Sequence, residues 1–282
     1  MNYNTKELLD NCIESIYAQT EEVEFETIVV DNASSDGSEE FIKEKYPFIK
    51  WINSGGNVGF GKANNIGAEH AAGEFLFLLN PDTILKNNVL KLFYQHMKEN
   101  ANKDQLGALG CYLLGDNELA NLSYGKFPSP SGEFSYLWGK LKRKKHIFST
   151  KDVDYIIGAD IFLSNETFKR LNGFDPKFFM YYEETDLQYR MEKEGLKRRI
   201  ITGPQIIHLE GGSFQKKGLS FNRFMMSQKS YNYYLRKHFS GLRYSLYRIV
   251  LIIIRLLLFV STDWSRKEKL MAYRLVVSGS YT

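Results

Sequence analysis

Phe75-Leu76-Phe77-Leu78-Leu79-Asn80-Pro81-Asp82-Thr83 is a continuous apolar run that stops on a polar turn carrying one carboxylate. An unbroken run of bulky apolar residues, without alternation, predicts a parallel strand covered on both faces by helices. Ligands of such α/β sheets bind beyond the carboxyl ends of the strands, which puts Asp82 where chemistry happens. Pro81 cannot donate to a ladder and stiffens the turn. The same stretch also fits a plainer reading, in which Asp82 caps a helix over residues 84–97.

The flanking sequence repeats the pattern. Leu8, Leu9, Cys12, Ile13 and Ile16 have helical spacing over residues 6–19, and residues 27–30 read as a short strand ending at Asp31. Ser34-Ser35-Asp36-Gly37 forms a turn before a helix over 38–46, and 48–52 reads as a strand. The polar glycine-rich loop 53–61 precedes a helix over 62–72. Alternating helices and strands imply a nucleotide-binding α/β layer. Beyond Gly107 the rhythm turns to hairpin-like strands at 107–114 and 153–163, a short helix at 165–171, a helix at 183–195 and extended chain at 200–209, an α+β half. Helices are expected over 221–238 and 242–260. There is no internal repeat and no low-complexity tract.

The chain of 282 residues is long enough for a large α/β domain with an appendage. Net charge is a mild +4, but basic residues gather at Lys140, at Lys142 to Lys145 and between Arg236 and Arg274, which suits anionic partners or solvated faces. No nucleic-acid partner is expected. Cys12 and Cys111 lack metal or redox spacing, pointing to a reducing compartment, and the N-terminus lacks a secretory pattern. The expected location is cytoplasmic, peripheral on the inner face of the plasma membrane.

Four features carry chemistry. Asp31, like Asp82, closes an apolar strand, and a carboxylate there accepts hydrogen bonds from a base or ribose, though Asp and Gly are also ordinary turn residues. Gly55-Gly56-Asn57-Val58-Gly59-Phe60-Gly61 supplies free N–H groups ahead of a helix, a cradle for a diphosphate and weak evidence alone. Glu183-Glu184-Thr185-Asp186 places three carboxylates at a helix start. The macrodipole explains one or two of them, and mutual repulsion raises the proton affinity of one, which suits general-base work. His208 closes another apolar strand; a lone histidine is more often a bystander than a ligand.

In their order, Val30-Asp31-Asn32-Ala33-Ser34-Ser35-Asp36-Gly37-Ser38, Asn57-Val58-Gly59-Phe60 with Asn64-Asn65-Ile66-Gly67, Leu79-Asn80-Pro81-Asp82, Gly173-Phe174-Asp175 and Glu183-Glu184-Thr185-Asp186-Leu187 resemble family 2 glycosyltransferases, most of all their rhamnosyltransferase-like branch. The resemblance runs from Asn2 to about Ser213 and weakly on to Phe239. It implies a GT-A fold, with a mostly parallel nucleotide-binding sheet, a mixed acceptor half and a C-terminal helical tail. It further implies a nucleotide-diphospho-sugar donor, inversion at the anomeric carbon and a glycan or polyprenyl-linked acceptor. On this basis Asp31 holds the base, with Asn2, Tyr3 and Asn4 lining the nucleoside pocket. Asn57, Gly59 and Asn64 follow the ribose and diphosphate. Asn80 and Asp82 match a metal motif that often has two Asp, so Asp82 carries most of the protein's charge toward Mg²⁺ or Mn²⁺, and His208 matches a position that completes the metal shell. Glu184 falls where relatives usually place a catalytic Asp, and takes the acceptor's proton. Asp186 and Glu183 support it, and Asp160 contacts sugar hydroxyls. The implied division is a catalytic domain over 1–215 (1–106 for the donor, 107–215 for the acceptor) and a helical extension over 216–282.

Relatives carry five or six apolar residues ahead of the Asn-Tyr-Asn segment, forming a central first strand. Here Met1 stands directly before Asn2. Either the chain starts upstream or another segment fills the gap, and a shortened reading frame is the favoured expectation. The apolar run 249–260, broken by Arg255, is shorter than the roughly 20 residues of a membrane span. With Arg243, Arg248, Arg266, Lys267 and Lys269 beside it, it suits a helix lying on an anionic membrane surface, or else a homodimer interface or docked core helix. Two rival functions are a nucleotidyltransferase, for which the acidic cluster has little use, and a degenerate nucleotide-sugar-binding scaffold, suggested by Asn80 and the absent first strand.

Overall fold

The computed structural model describes residues 1–115, 119–129, 148–209, 220–260 and 262–281, without the side chains of 257–260. The basic cluster at Lys140 and Lys142 to Lys145, and the Glu210-Gly211-Gly212 segment after His208, lie outside the described residues.

The N-terminal part follows the sequence pattern. Helix α1 (Lys6–Gln19) turns Leu9, Cys12 and Ile13 inward. Strand β1 (Ile28–Asp31) pairs in parallel with β2 (Lys50–Asn53), with α2 (Ser38–Lys45) between them in sequence. Leu9, Ile13, Val29, Ile42, Tyr46 and Ile49 close a small core there. Helix α3 (Phe60–Glu69) then leads to β3 (Phe75–Leu79).

Strand β3 departs from expectation. It pairs antiparallel with β9 (Asp160–Ser164), and its burial alternates rather than being complete. Its second edge has no strand partner among the described residues, so β1–β2 and the larger sheet are separate ladders. The larger sheet runs β3-β9-β5-β10-β4, with β5 at Leu106–Leu114, β10 at Lys197–His208 and β4 at Thr83–Leu85. Strand β7 (Lys151–Val153) also pairs with β10, and the short β6 (Tyr124–Gly125) and β8 (Tyr155–Ile156) pair with each other. Within the larger sheet only β5 and β10 are parallel; the sheet is mixed, not mostly parallel. The expected extended run 153–163 is broken at 157–159, where the chain turns into β9.

The helix expected over 84–97 is also corrected. Residues 83–85 form β4, antiparallel to the end of β10, and α4 (Val89–Asp104) begins only after Asn88, whose side chain accepts from Lys91 N. Asp82 is therefore not a helix cap. Helix α4 covers one face of the sheet, packing Phe93 and Met97 on Leu109, Phe162 and Ile206. The other face is covered by α5 (Asn165–Arg170) and α6 (Glu183–Lys193), with Phe168, Leu187 and Met191 against Ala108, Ile161 and Ile200.

Three helices finish the chain: α7 (Phe221–His238), α8 (Gly241–Val260) and α9 (Arg266–Ser278), the last not anticipated. Helix α7 shares an aromatic core with Phe178, Tyr182 and Tyr189 of the α6 region. Arg248, expected among membrane-facing basic residues, is instead buried, donating to Asn232 Oδ1 and to the carbonyls of Val276 and Val277. Its guanidinium satisfies carbonyls that the end of α9 leaves open. Among the described residues no helix is long and apolar enough to cross a membrane.

Candidate active site

Strand register brings four predicted residues to one end of the larger sheet. Leu79 is opposite Asp160, and Asn80 N donates to Ala159 O at 3.1 Å, so the turn after β3 lies beside the start of β9. His208 is opposite Thr83, and Leu209 N donates to Asp82 O at 2.9 Å, so the end of β10 closes on the same turn. As a result His208 Nε2 lies 3.4 Å from Asp82 Oδ1, both side chains being less than a fifth exposed. One carboxylate and one imidazole at adjoining strand ends are two groups of a kind that could ligate a divalent cation. Among the described residues no group of three or more acidic, histidine or cysteine side chains gathers around a point.

Asp160 is fully buried. One carboxylate oxygen accepts from Cys111 N at 2.7 Å, while Oδ1 has no partner. Burial pushes its pKa up to about 7, against the opposing hydrogen bonds from Cys111 and the charge of His208. An unpartnered buried oxygen is expensive in a folded protein unless something meets it.

The Asp31 corner is built by the N-terminal segment. Asp31 accepts from Asn2 Nδ2 at 2.8 Å and from Ser34 N at 2.9 Å. Asn2 is fully buried, and its remaining amide bonds go to Ser34 and Thr5. It shapes the corner rather than lining an open wall. Asn4, with φ of 53°, accepts from Ser35 N, and Tyr3 is exposed. Asn32, overlooked in the sequence, reaches across to donate to Gly59 O at 3.1 Å and ties this corner to the glycine loop.

That loop is clamped against the segment before α6. Gly59 has φ of 86°, a Cβ there would lie 2.1 Å from Phe179 O, and Phe60 N donates to that same carbonyl at 3.0 Å. A Cβ on Gly61 would press on Phe174 at 2.9 Å and Glu183 at 3.3 Å. Both glycines thus serve close chain approach, bringing the start of α3 against the start of α6. Asn57 is exposed and accepts from Gly59 N. Asn64 donates back to Phe60 O at 2.9 Å and is among the residues lining the cleft between β1 and β3.

The acidic cluster separates into two kinds of carboxyl group. Burial pushes Glu183 well above the usual carboxylate range and the charge of Glu184 adds to it; burial raises Glu184 too. Glu183 is 4% exposed with Oε2 unpartnered, whereas Glu184 is more open, with Thr185 Oγ1 at 3.4 Å and Gly158 of the turn before Asp160 alongside. Two adjacent buried carboxyls resist ionising together, so each holds its proton more tightly than a free glutamate. Asp186 differs. Burial acts to raise it, but His238 and Lys237, both 2.7 Å from Oδ1, and Arg190, 2.9 Å from Oδ2, outweigh burial and hold it below the usual range. Lys193 Nζ faces His238 Nδ1 at 3.1 Å, so Nε2 carries the proton toward Asp186. Through these contacts Asp186 fastens α6 to α7. The same helix braces two left-handed residues, Tyr181 and Tyr182 at φ of 71° and 68°. Ser230 Oγ donates to Met180 O at 2.8 Å and Tyr231 packs on Tyr182.

The sequence pattern of glycosyl transferase family 2 matches residues 1–152. The chain is 27% identical to rhamnosyltransferase WbbL of Escherichia coli over 219 residues, 74% of this chain and 81% of that protein. It is 28% identical to the low-salt glycan biosynthesis hexosyltransferase Agl10 of Haloferax volcanii, covering 70% of this chain and 61% of that one. The match to the N-acetylglucosaminyl-diphospho-decaprenol L-rhamnosyltransferase of Mycobacterium tuberculosis is 22%, over 64% of this chain and 65% of that one. Among solved structures, Staphylococcus aureus TarS aligns with a TM-score of 0.56 at 15% identity, covering 94% of this chain and 43% of that one. GalNAc-T7, crystallised with UDP, GalNAc and Mn²⁺, aligns at 0.54 and 16%, covering 84% and 50%. The fold is GT-A, and the chain belongs to glycosyl transferase family 2, on its rhamnosyltransferase-like branch.

Proposed function

We propose that this glycosyltransferase moves a hexose, with rhamnose the favoured one, from a nucleotide-diphospho-sugar to a hydroxyl of a cell-surface glycan or polyprenyl-linked acceptor, inverting the anomeric centre. The observation that carries this reading is the arrangement around the 157–160 turn: Asp160 and the Asp82–His208 pair at the sheet end, and Glu184 alongside Gly158. Glu184 takes the acceptor hydroxyl's proton as its oxygen bonds to the anomeric carbon and the bond to the diphosphate oxygen breaks. Glu183, whose proton is held by burial and by the charge of Glu184, supports the base, and Asp160 accepts from a sugar hydroxyl. Asp31 holds the base, with Tyr3 and Asn4 beside it, and Asn57, Gly59 and Asn80 border the diphosphate and sugar.

A divalent cation fits the donor set of Asp82 and His208 and, when bound, neutralises charge building on the leaving diphosphate. The imidazole favours Mn²⁺ over Mg²⁺. Support for the class comes from GalNAc-T7, whose crystals hold Mn²⁺, and for a polyprenyl acceptor from the decaprenol named for the mycobacterial relative. The degenerate-scaffold and nucleotidyltransferase alternatives gain nothing from these relatives, which are named as sugar transferases. The test is a transfer screen of dTDP-rhamnose, UDP-hexoses and GDP-sugars with Mn²⁺ or Mg²⁺; metal-dependent turnover of one donor is expected, and binding without turnover of any contradicts the reading.

We further propose that the protein lies on an anionic membrane surface. Leu242, Leu246, Ile249, Ile253 and Leu256 form an exposed apolar row along α8, with Leu270, Met271 and Val277 exposed on α9 and Arg243, Arg266 and Lys267 nearby. Flotation with anionic liposomes is expected; a chain that stays at the bottom and elutes as a dimer would assign the row to a homodimer interface.

A further inference from the structure

Strand β8 contains only Tyr155 and Ile156, yet it is held from two directions. It pairs antiparallel with β6, where Gly125 lies opposite Tyr155. The N–H and C=O of Ile156 are met by a side chain instead. Gln188 is fully buried on α6; its Oε1 accepts from Ile156 N at 2.7 Å and its Nε2 donates to Ile156 O at 2.7 Å. The same Nε2 donates to Glu184 O at 3.2 Å, so one amide sets β8 against the first turn of the acidic helix.

The ring of Tyr155 lies across Gly125, where a Cβ would fall 2.3 Å from Tyr155 Oη and 2.4 Å from Cζ. Glycine is what lets the ring lie there. From this position the Tyr155 hydroxyl hydrogen-bonds with Thr185 and meets the charge of Glu184. Thr185 is 2% exposed, and its Oγ1 donates to Glu184 Oε1 at 3.4 Å. Counting protons gives the direction of this short chain. Burial and the charge of Glu184 push the Tyr155 phenol up, against the hydrogen bond with Thr185, so it keeps its proton and donates. Thr185 accepts that bond and gives its own hydroxyl proton to the carboxylate.

The groups around Glu184 are Glu183 on its own helix, Tyr155 of β8, Gly158 of the turn before β9, and the uncharged Phe60 and Gly61 of α3 beside Gly158 and Glu183. Asp154 acts on Tyr155 and accepts from Phe127 N at 2.8 Å, while Asp186 is matched by Arg190 and by Lys237 and His238 of α7. Burial pushes Glu184 up, and its own N–H, the Thr185 hydroxyl and the Thr185 N–H oppose that. The hydroxyl chain therefore joins the helix N–H groups in favouring the carboxylate.

We propose that Tyr155 is a positioning residue for the transfer reaction: through the Thr185 hydroxyl it fixes the orientation of the Glu184 carboxylate and stabilises its negative charge. No proton passes along the chain during transfer. The catalytic side of this inference rests on the reading of Glu184 as the base. A ring that served only to pack against Phe127, at 6.2 Å between centroids, would be replaced by phenylalanine without effect.

The test follows the carboxyl carbon of Glu184 by NMR across pH in the full chain labelled with ¹³C-glutamate, the resonance being assigned with Glu184→Gln. In Tyr155→Phe the midpoint for the first ionisation of the Glu183–Glu184 pair is expected to rise by about half a pH unit or more. Thr185→Val should give a similar rise, Thr185→Ser should keep the native midpoint, and Tyr155→Phe added to Thr185→Val should change nothing further. Should either variant unfold, the other supplies the readout. With a nucleotide-sugar that is turned over, the acid limb of the pH–rate profile should move with the midpoint, lowering the rate on that limb about threefold while donor affinity stays within about twofold. An unmoved midpoint in Tyr155→Phe and Thr185→Val overturns the proposal, as does a rate lowered equally at every pH with the limb in place. Failure of the base reading looks different: Glu184→Gln would then transfer at the native rate, which removes the catalytic role of Tyr155, while the carboxyl titration still decides whether Tyr155 acts on Glu184.

Discussion

Replacing Asp186 with Asn tests how the acidic helix is held. The carboxylate is fully buried and is met by Arg190, Lys237 and His238 at 2.7–2.9 Å. Asn keeps the shape and can still accept from His238, but it leaves two cations beside a neutral amide. Removing one partner of a buried ion pair costs about 3–5 kcal/mol. Here the lower end applies. Lys237 keeps Asp175 at 2.7 Å, Arg190 keeps the carbonyls of Leu171 and Gly173, and both cations are about one-fifth exposed. A loss of about 3 kcal/mol corresponds to a fall of about 6 to 10 °C in melting temperature for a chain of this size. Because the folded-state pKa of Asp186 lies below its unfolded value, this stabilisation is present above the usual aspartate range and is lost as pH falls. The melting curves of the two proteins should therefore diverge at pH 7 and converge as pH drops below about 4. Thermal melts across that pH range measure both effects. A difference under about 2 °C at pH 7, or one that persists unchanged into acid, refutes the claim that this network fastens α6 to α7.

Three further outcomes are expected. Gly59→Ala places a methyl 2.1 Å from Phe179 O on a backbone with φ of 86°, so nucleotide-donor affinity should fall at least about tenfold and stability by about 2 kcal/mol, read by calorimetry and urea melts. Asp160, with a pKa raised to about 7, contributes stability that is lost as pH rises toward that value; Asp160→Asn should flatten this decline between about pH 4 and 7 in denaturant titrations while slowing transfer. The raised pKa of Glu184 predicts that transfer rate climbs with pH through a value above the ordinary glutamate range, so a pH–rate profile flat from pH 5 upward counts against its role as base.

Local periodicity carried much of this molecule. The limits of α1 and α7 follow directly from the spacing of their apolar residues, and Asp31, Asp82 and His208 were legible because apolar strands end on or beside them. Partnering was not legible. An apolar run such as 75–79 does not reveal whether its neighbour runs parallel or antiparallel, since that depends on β9, more than eighty residues away. Residues 84–97 have enough apolar content to resemble one helix, yet pairing with β10 draws 83–85 into the sheet and leaves Asn88 to start the helix. Arg248 sits in a run that looks membrane-active, and only the carbonyls at the end of α9 give it a buried role. His238 and Lys237 lie more than fifty residues from the acidic cluster they hold.

As proposed above, Glu184 is the base of a sugar transfer assisted by the Asp82–His208 site. The most direct measurement is single-turnover transfer from the accepted nucleotide-sugar by the native protein and by Glu184→Gln, with donor affinity measured in parallel. Donor binding within about twofold of native and a transfer rate reduced by about 10²–10⁴ are expected. A variant that transfers sugar at the native rate, or a native protein that binds donor and never turns it over, would contradict it.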